Sequence, residues 1–426
     1  MRAKPSLERT AHSLERTGET VVTTVISLRR RLDIQMLRWQ ARLDSRVGDR
    51  AIPWLTALAL AVVLSLLALA RHRDLGIGSD LGHYLQAAHL MDRGFDPMVT
   101  DLGHNLFADQ ASWIFWPIAL VLRVLPAAGT LLVLQSVALS LAVVPLWRIA
   151  RGPANLRIGA AAALMVAYAL HPSVHDLNLA GFHPEALAIP ALMAAYLVAR
   201  SDHWWWLVVL AVVVVSTRSD LGLAVAALGL VLVSEDNRNR GWPLATFGLA
   251  WFLIMSFVIQ PLLGDGAYPH LGAFAHFGDG AAGILFGMLS DPAGLLGDLF
   301  ARDGFDKVLL LLAPTLFLPL VRPRYLLPIV PLVVLYLVAD VIDTGYGNPQ
   351  QDVAALAFVF IAATYALMRI GTQGVSRIHV DRRVLMVLVL TATVFFVRDA
   401  ASSPYEEPWD WGRRTSTDVA RVSTSV

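Results

Sequence analysis

Residues 171–185 read HPSVHDLNLAGFHPE, three histidines and two carboxylates in a short polar run. Carboxylate oxygens hold hard cations, imidazole suits softer ones, and either group can carry a proton. The run closes on Phe182-His183-Pro184-Glu185 and passes straight into ALAIPALMAAYLVA, a stretch apolar enough for lipid. Pro184 suits the first turn of a helix, which places Glu185 at the helix start. Glu185 then reads as a base or a metal ligand, with His183 as an anion contact. The simpler reading is a carboxylate favoured by the helix N-terminus, beside interfacial histidines.

Three further groups could take part in chemistry. Residues 79–97, SDLGHYLQAAHLMDRGFDP, place Leu81, Tyr84, Leu85, Ala88 and Met91 at helical spacing. Asp80 therefore starts an amphipathic surface helix, as a functional carboxylate or only as its N-cap. In His104-Asn105-Leu106-Phe107-Ala108-Asp109-Gln110, Asp109 can share a metal with Asp80, hold a sugar hydroxyl, or stand as a loop acid in water. Arg218-Ser219-Asp220 follows VVVVST: its guanidinium matches phosphate geometry, or the Arg–Asp pair closes a helix hairpin. The segment 264–307 adds Tyr268, His270 and His276, and its FGMLSDPAGLLGDLF predicts a second surface helix.

The elements that must position these residues are set by composition. Of 426 residues, 56% are hydrophobic and 16% charged, against about a quarter charged in soluble domains. The mean hydropathy is +0.58. Residues 51–70 carry no charge and match the ~20 residues that cross a bilayer. Comparable blocks predict spans at 51–70, 129–147, 158–171, 185–199, 204–217, 221–233, 242–263, 308–321, 325–341, 353–370 and 384–397. The short stretch 113–126, with Arg123 and two prolines, predicts a re-entrant or tilted segment. The fold expected is an all-α polytopic bundle of about eleven spans plus that segment, with amphipathic helices in its outer loops.

Arginines collect in the loops 148–157, 200–203, 234–241, 322–324 and 369–383, which places these loops and the N-terminus in the cytoplasm of a plasma-membrane protein. Asp80, Asp109, His183, Glu185, Arg218, Asp220, Asp340 and Asp343 then share the outer side. Residues 1–50 form a basic tail whose apolar positions from Val21 to Leu43 predict a helix on the inner leaflet. Residues 51–398 form the transmembrane domain and 399–426 a polar extracytoplasmic tail. With no cysteine, thiolate metal sites and cysteine nucleophiles are excluded. There is no phosphate-binding glycine loop, no HExxH and no nucleic-acid patch.

One further set of residues carries a resemblance. Asp80-Leu81-Gly82 with Gln86 and Gly94, Asp109 with Ser112, Phe182-His183-Pro184-Glu185-Ala186-Leu187, Asp220-Leu221 with Gly229-Leu230, Leu271-Gly272, Pro292 and the run 316–323 occur in that order. Together they resemble a widespread bacterial and archaeal family of predicted membrane proteins of unknown function. That family is related in architecture to the GT-C glycosyltransferases, which use polyprenyl-phosphate sugars. The chain departs from the pattern at Gln110, where His is usual, and at Arg218-Ser219, where Lys-Glu is usual. The resemblance implies a GT-C-like fold, Asp80 as general base, and Arg218 as stabiliser of the departing phosphate. Asp109, Gln110, His183, Glu185 and Asp220 would line the pocket. It also implies a divalent cation, Mg or Mn, with Asp80 and Glu185 as ligands. The partners would be the bilayer, the lipid-linked sugar and an acceptor, without nucleic acid. A transporter or flippase of a lipid-linked substrate, or a non-catalytic subunit of the same fold, are the alternatives.

Overall fold

The computed structural model describes residues 45–73, 78–201, 203–264, 266, 269–294, 297, 304–339, 351–374, 377–400 and 402. The inner-leaflet helix expected between Val21 and Leu43, Tyr268, Asp340, Asp343 and the tail after 402 lie outside these residues. The chain divides into two compact units, 1–52 and 53–426. Of the first, the start of the helix Arg46–Arg73 is described.

The fold is all-α. The extended pairs among the described residues are two antiparallel ribbons, Met98–Val99 with His104–Asn105 and Thr372–Gln373 with Ile378–His379. Among the described residues, five helices are long and apolar enough to cross a membrane: Arg46–Arg73, Ala127–Arg151, Ile158–Ala180, Arg238–Leu263 and Asp352–Ile370. Shorter apolar helices run Pro184–Val198, Trp204–Thr217, Leu221–Ser234 and Pro323–Val338. Asp352–Ile370 is central, with every residue from Val353 to Leu367 buried. Others bury one stripe only. Leu60, Leu64 and Ala68 of Arg46–Arg73 face inward, while Leu55, Leu58, Val62 and Leu66 are exposed. Leu249, Ile254, Val258 and Leu262 of Arg238–Leu263 are exposed in the same way. Water does not tolerate such continuous apolar faces; lipid does.

Leu221–Ser234 packs against Arg238–Ile254 through glycine. A Cβ on Gly229 would stand 2.6 Å from the Gly241 oxygen, and one on Gly248 2.5 Å from the Gly222 oxygen. Two glycines per helix, seven residues apart, let the backbones touch, a packing favoured where lipid removes the hydrophobic drive.

The expected span 308–321 is not one helix. Helix Gly304–Leu312 gives way to 3-10 turns at Ala313–Thr315 and Leu318–Val321, with Leu316 and Phe317 left-handed at φ 56° and 52°. Pro314 and Pro319 each lack an amide hydrogen, and the helix ladder fails around them. The stretch 113–126 contains the short helix Phe115–Leu122. The surface helix expected over residues 286–300 is not one helix. Gly280–Ser290 lies mostly before that segment and stops at Asp291-Pro292, because a residue preceding proline avoids the helical region. Residues 295, 296 and 298–300 lie outside those described.

Candidate functional site

The helix Asp80–Asp92 begins at Asp80 itself, with Ser79 before it, so Asp80 is a first-turn carboxylate and not the cap. Its inward stripe is Leu81, Tyr84, Ala88 and Met91. Tyr84 anchors it: its ring meets Phe115 at 4.9 Å and Phe182 edge-on at 5.0 Å. Its hydroxyl lies 3.4 Å from Ser112 Oγ, which donates to the Thr217 carbonyl at 2.8 Å. Burial, then Glu185, pushes the Tyr84 phenol well above its ordinary range, so it stays neutral. Phe182 immediately precedes His183, so this aromatic contact sets Asp80 against the histidine. Gly181 permits the approach, since a Cβ there would lie 3.3 Å from the Asp80 Cβ.

His183 is held from behind. Its amide donates to Gln135 Oε1 at 2.5 Å, and Gln135 Nε2 donates to the carbonyls of Leu177 and Gly181. Pro184–Leu187 forms one 3-10 turn before the helix Ala188–Val198. The imidazole then lies between two acids: Nε2 is 3.5 Å from Asp80 Oδ2 and Nδ1 is 3.7 Å from Glu185 Oε1. Glu185 is fully buried, and neither carboxylate oxygen has a hydrogen-bond partner among the described residues.

Arg218 sits in the turn between Trp204–Thr217 and Leu221–Ser234. Its Nη1 is 3.6 Å from Glu185 Oε1, and its Nε donates to Asp220 Oδ1 at 2.7 Å. Tyr336 completes the group, accepting from Arg218 Nη2 and donating to Asp220 Oδ2. Burial opposes the charge, but Asp220, Tyr336 and Glu185 outweigh it and raise the guanidinium above its ordinary value. Arg218 is a fixed cation.

Asp109 arrives on the short helix Leu106–Asp109, capped by Asn105, whose side chain accepts from the Phe107 amide at 2.9 Å. His270 Nε2 is 3.4 Å from Asp109 Oδ1, and Gln260 Nε2 donates to the Asp109 carbonyl at 2.6 Å. Gln110 accepts from the Ser219 amide at 3.0 Å through its backbone oxygen. Ala111 follows in the left-handed region at φ 53°, a conformation costly to a residue with a Cβ and common at functional sites. The Gln110 side-chain Oε1 is buried without a hydrogen-bond partner among the described residues.

One cavity of about 1180 Å³ is lined by Asp80, Asp109, Gln110, His183, Arg218 and Asp220. Glu185 lies behind this wall, in contact through His183 and Arg218. Phe252, Leu253, Phe257 and Leu335 give the same cavity an apolar side. His171 and His175 are elsewhere: their Nε2 atoms meet the carbonyls of Leu311 and Ala169, at 3.1 and 2.8 Å. The sequence density of histidines is thus two structural residues and one at the cavity. Residues missed in the sequence are Tyr336, which nothing marks within its apolar run, and His83, whose spacing of three from Asp80 was a usable signal.

The donor set does not suit a divalent cation. Among the described residues no three His, Asp or Glu side chains are grouped to hold one. His183 separates Asp80 from Glu185, and the positive charge beside Glu185 is already Arg218. Asp80 and Glu185 as joint ligands of Mg or Mn is therefore an expectation that this arrangement disfavours.

The family model described as a predicted membrane protein (DUF2079) matches residues 71–415. No curated protein and no solved structure matches the chain.

Proposed function

Given that the chain belongs to this family of predicted membrane proteins, DUF2079, we propose that it is a GT-C-type glycosyltransferase. It would move a sugar from a polyprenyl-phosphate donor to an extracytoplasmic acceptor. The observation that carries the reading is one cavity holding a half-exposed carboxylate, a fixed guanidinium and an apolar wall. Those are the groups needed for a base, a leaving phosphate and a lipid tail.

In the proposed reaction Asp80 takes the proton of an acceptor hydroxyl. The acceptor oxygen bonds to the anomeric carbon as the bond to the phosphate oxygen breaks. The electron pair leaves on the phosphate, where Arg218 and the Tyr336 hydroxyl meet the growing charge; one such preorganised donor is worth about 10²–10³ in rate. His183, backed by Glu185, holds the Asp80 carboxylate in place. Asp109 and Gln110 meet sugar hydroxyls, and Asp220 keeps Arg218 oriented. No step is given to Mg or Mn, because Arg218 supplies the positive charge.

In the same reading the N-terminus is cytoplasmic and the cavity opens outward from a plasma membrane. Eleven crossings are retained: the long and short apolar helices, Arg382–Asp399, and the interrupted stretch 304–321. A transporter or flippase has one observation in its favour, the interrupted helices at His171-Pro172 and around Leu316, since discontinuous helices are frequent in transporters. The acids of the cavity, however, come from helix ends and loops.

The test uses protein reconstituted in liposomes with polyprenyl-phosphate glucose and polyprenyl-phosphate mannose, measuring release of polyprenyl phosphate. Asp80→Asn is expected to lose about 10²–10⁴-fold in turnover with unchanged thermal unfolding. Turnover equal to the parent removes the enzymatic reading and leaves the transporter or the non-catalytic subunit. A chelator is expected to leave turnover unchanged; loss restored by Mg or Mn would reinstate the cation.

A further inference from the structure

A general base must discharge its proton before the next turnover, and the surroundings of Asp80 offer two directions. Its carboxylate is flanked by two imidazoles. His183 leads inward, to a fully buried Glu185 and the fixed cation Arg218. His83 leads outward. Its Nδ1 is 3.8 Å from Asp80 Oδ1, and its Nε2 is 2.7 Å from Asp101 Oδ2. All three line the cavity, with side chains 44%, 14% and 71% exposed, so the row Asp80, His83, Asp101 runs along the cavity wall to its more exposed carboxylate.

We propose that His83 and Asp101 form the proton exit of the site, an inference that rests on Asp80 acting as the base. The short contact to a carboxylate assigns the neutral ring's proton to Nε2 and leaves the Nδ1 lone pair facing Asp80. After sugar transfer the proton moves from Asp80 to Nδ1. The imidazolium releases its Nε2 proton to Asp101, and Asp101 gives it to water. Exchange with water, Nε2 taking a proton as Nδ1 releases one, restores the starting tautomer. The 3.8 Å gap is closed by one water or by a small side-chain movement, as catalytic contacts commonly tighten with substrate bound.

Asp101 is held in place without His83. It lies in the turn of the ribbon Met98–Val99 with His104–Asn105, closed by the Gly103 amide donating to the Val99 carbonyl at 2.9 Å. One turn along the helix from His83, Gln86 grips the same turn: its Nε2 donates to Thr100 Oγ1 at 2.7 Å, and its Oε1 accepts from the Thr100 amide at 3.2 Å. The ribbon therefore has its own clasp, and the function of His83 separates from it experimentally.

The liposome assay with polyprenyl-phosphate glucose and mannose, run across a pH series, gives the test. His83→Gln keeps a donor toward Asp101 but cannot relay a proton. It is expected to slow turnover about tenfold to a hundredfold, flatten the pH profile, and recover with added imidazole. Asp101→Asn, isosteric and at an exposed site, is expected to slow turnover in the same direction with unchanged unfolding. Gln86→Ala, which loosens the clasp alone, is expected to keep the parent pH profile. Two results would overturn the relay: His83→Gln with the parent's rate and profile, or Gln86→Ala reproducing the whole His83→Gln defect. An Asp80→Asn protein that turns over normally removes the glycosyltransferase reading and the relay together. An inactive Asp80→Asn beside a normal His83→Gln removes the relay only.

Discussion

Glu185 and Asp220 both face Arg218, and their geometry separates their tasks. Asp220 makes the hydrogen-bonded bridge at 2.7 Å and also takes the Tyr336 hydroxyl. Glu185 stands 3.6 Å away, buried and without a hydrogen bond among the described residues. A buried charge stripped of its partner costs about 3–5 kcal/mol, whereas a buried charge removed while its neighbour stays paired costs little. Asp220→Asn is therefore expected to destabilise by about 3–5 kcal/mol. Glu185→Gln, which leaves Arg218 bridged, is expected to change stability by less than about 1 kcal/mol while slowing transfer, because His183 loses the carboxylate behind it. Denaturant unfolding of the two variants in detergent ranks them; the reverse order would make Glu185 the true counter-ion. At this scale the sequence was informative where a residue broke its surroundings. His183 and Glu185 interrupt an apolar run, and Arg218 follows one. Tyr336 was invisible because a tyrosine among Leu and Val is ordinary core; only the approach of Arg218 and Asp220 from a distant turn gives its hydroxyl a task.

Apolar run length located helices well and their continuity poorly. The runs 204–217, 221–233 and 353–370 hold no proline and fall within helices, and 51–70 does so with its single proline, Pro53, near one end. The run 308–321 is as apolar as these, yet it breaks at Leu316 and Phe317. Hydropathy counts side chains, while a break depends on the amide hydrogens that Pro314 and Pro319 lack. Glycine spacing was the other underused signal. Gly222 and Gly229 share one helix face and meet Gly241 and Gly248 of the next helix. Gly229→Leu or Gly248→Leu would set a side chain against backbone already 2.5 Å from the added Cβ, with no flexible neighbour to yield. Either is expected to abolish the monodisperse folded protein in size-exclusion chromatography. Gly82→Ala is the matched control: its Cβ meets nothing within 4 Å, and in the helix Asp80–Asp92 the change is expected to stabilise by about 0.5–1 kcal/mol. If all three variants behave alike, the close helix contact is not what holds this hairpin.

Exposed apolar faces on several long helices require a bilayer, and the site's proposed chemistry further requires that the cavity open away from the cytoplasm. The two demands are separable because the chain has no cysteine, so any single introduced thiol is the sole label site. Asp96 is exposed and lies in the chain between the helix Asp80–Asp92, which carries Asp80, and the ribbon whose turn carries Asp101. Asn239 is exposed in the first turn of the helix Arg238–Ile254, between Arg238 and Arg240, whose charges favour the cytoplasm. A membrane-impermeant maleimide added to intact cells is expected to label Asp96→Cys and to spare Asn239→Cys; permeabilised cells should show both. The inverted pattern would turn the cavity toward the cytoplasm. A polyprenyl-phosphate sugar carries its head group on the outer side in the proposed reaction, so that result would remove the extracytoplasmic acceptor even if Asp80 proved to be a base. Labelling of both positions in intact cells would mean that no membrane separates them, and the arginine distribution would then need another cause. The argument runs one way only: charge bias in loops predicts orientation, orientation decides which substrates can reach Asp80, and the chemistry of the cavity follows from what reaches it.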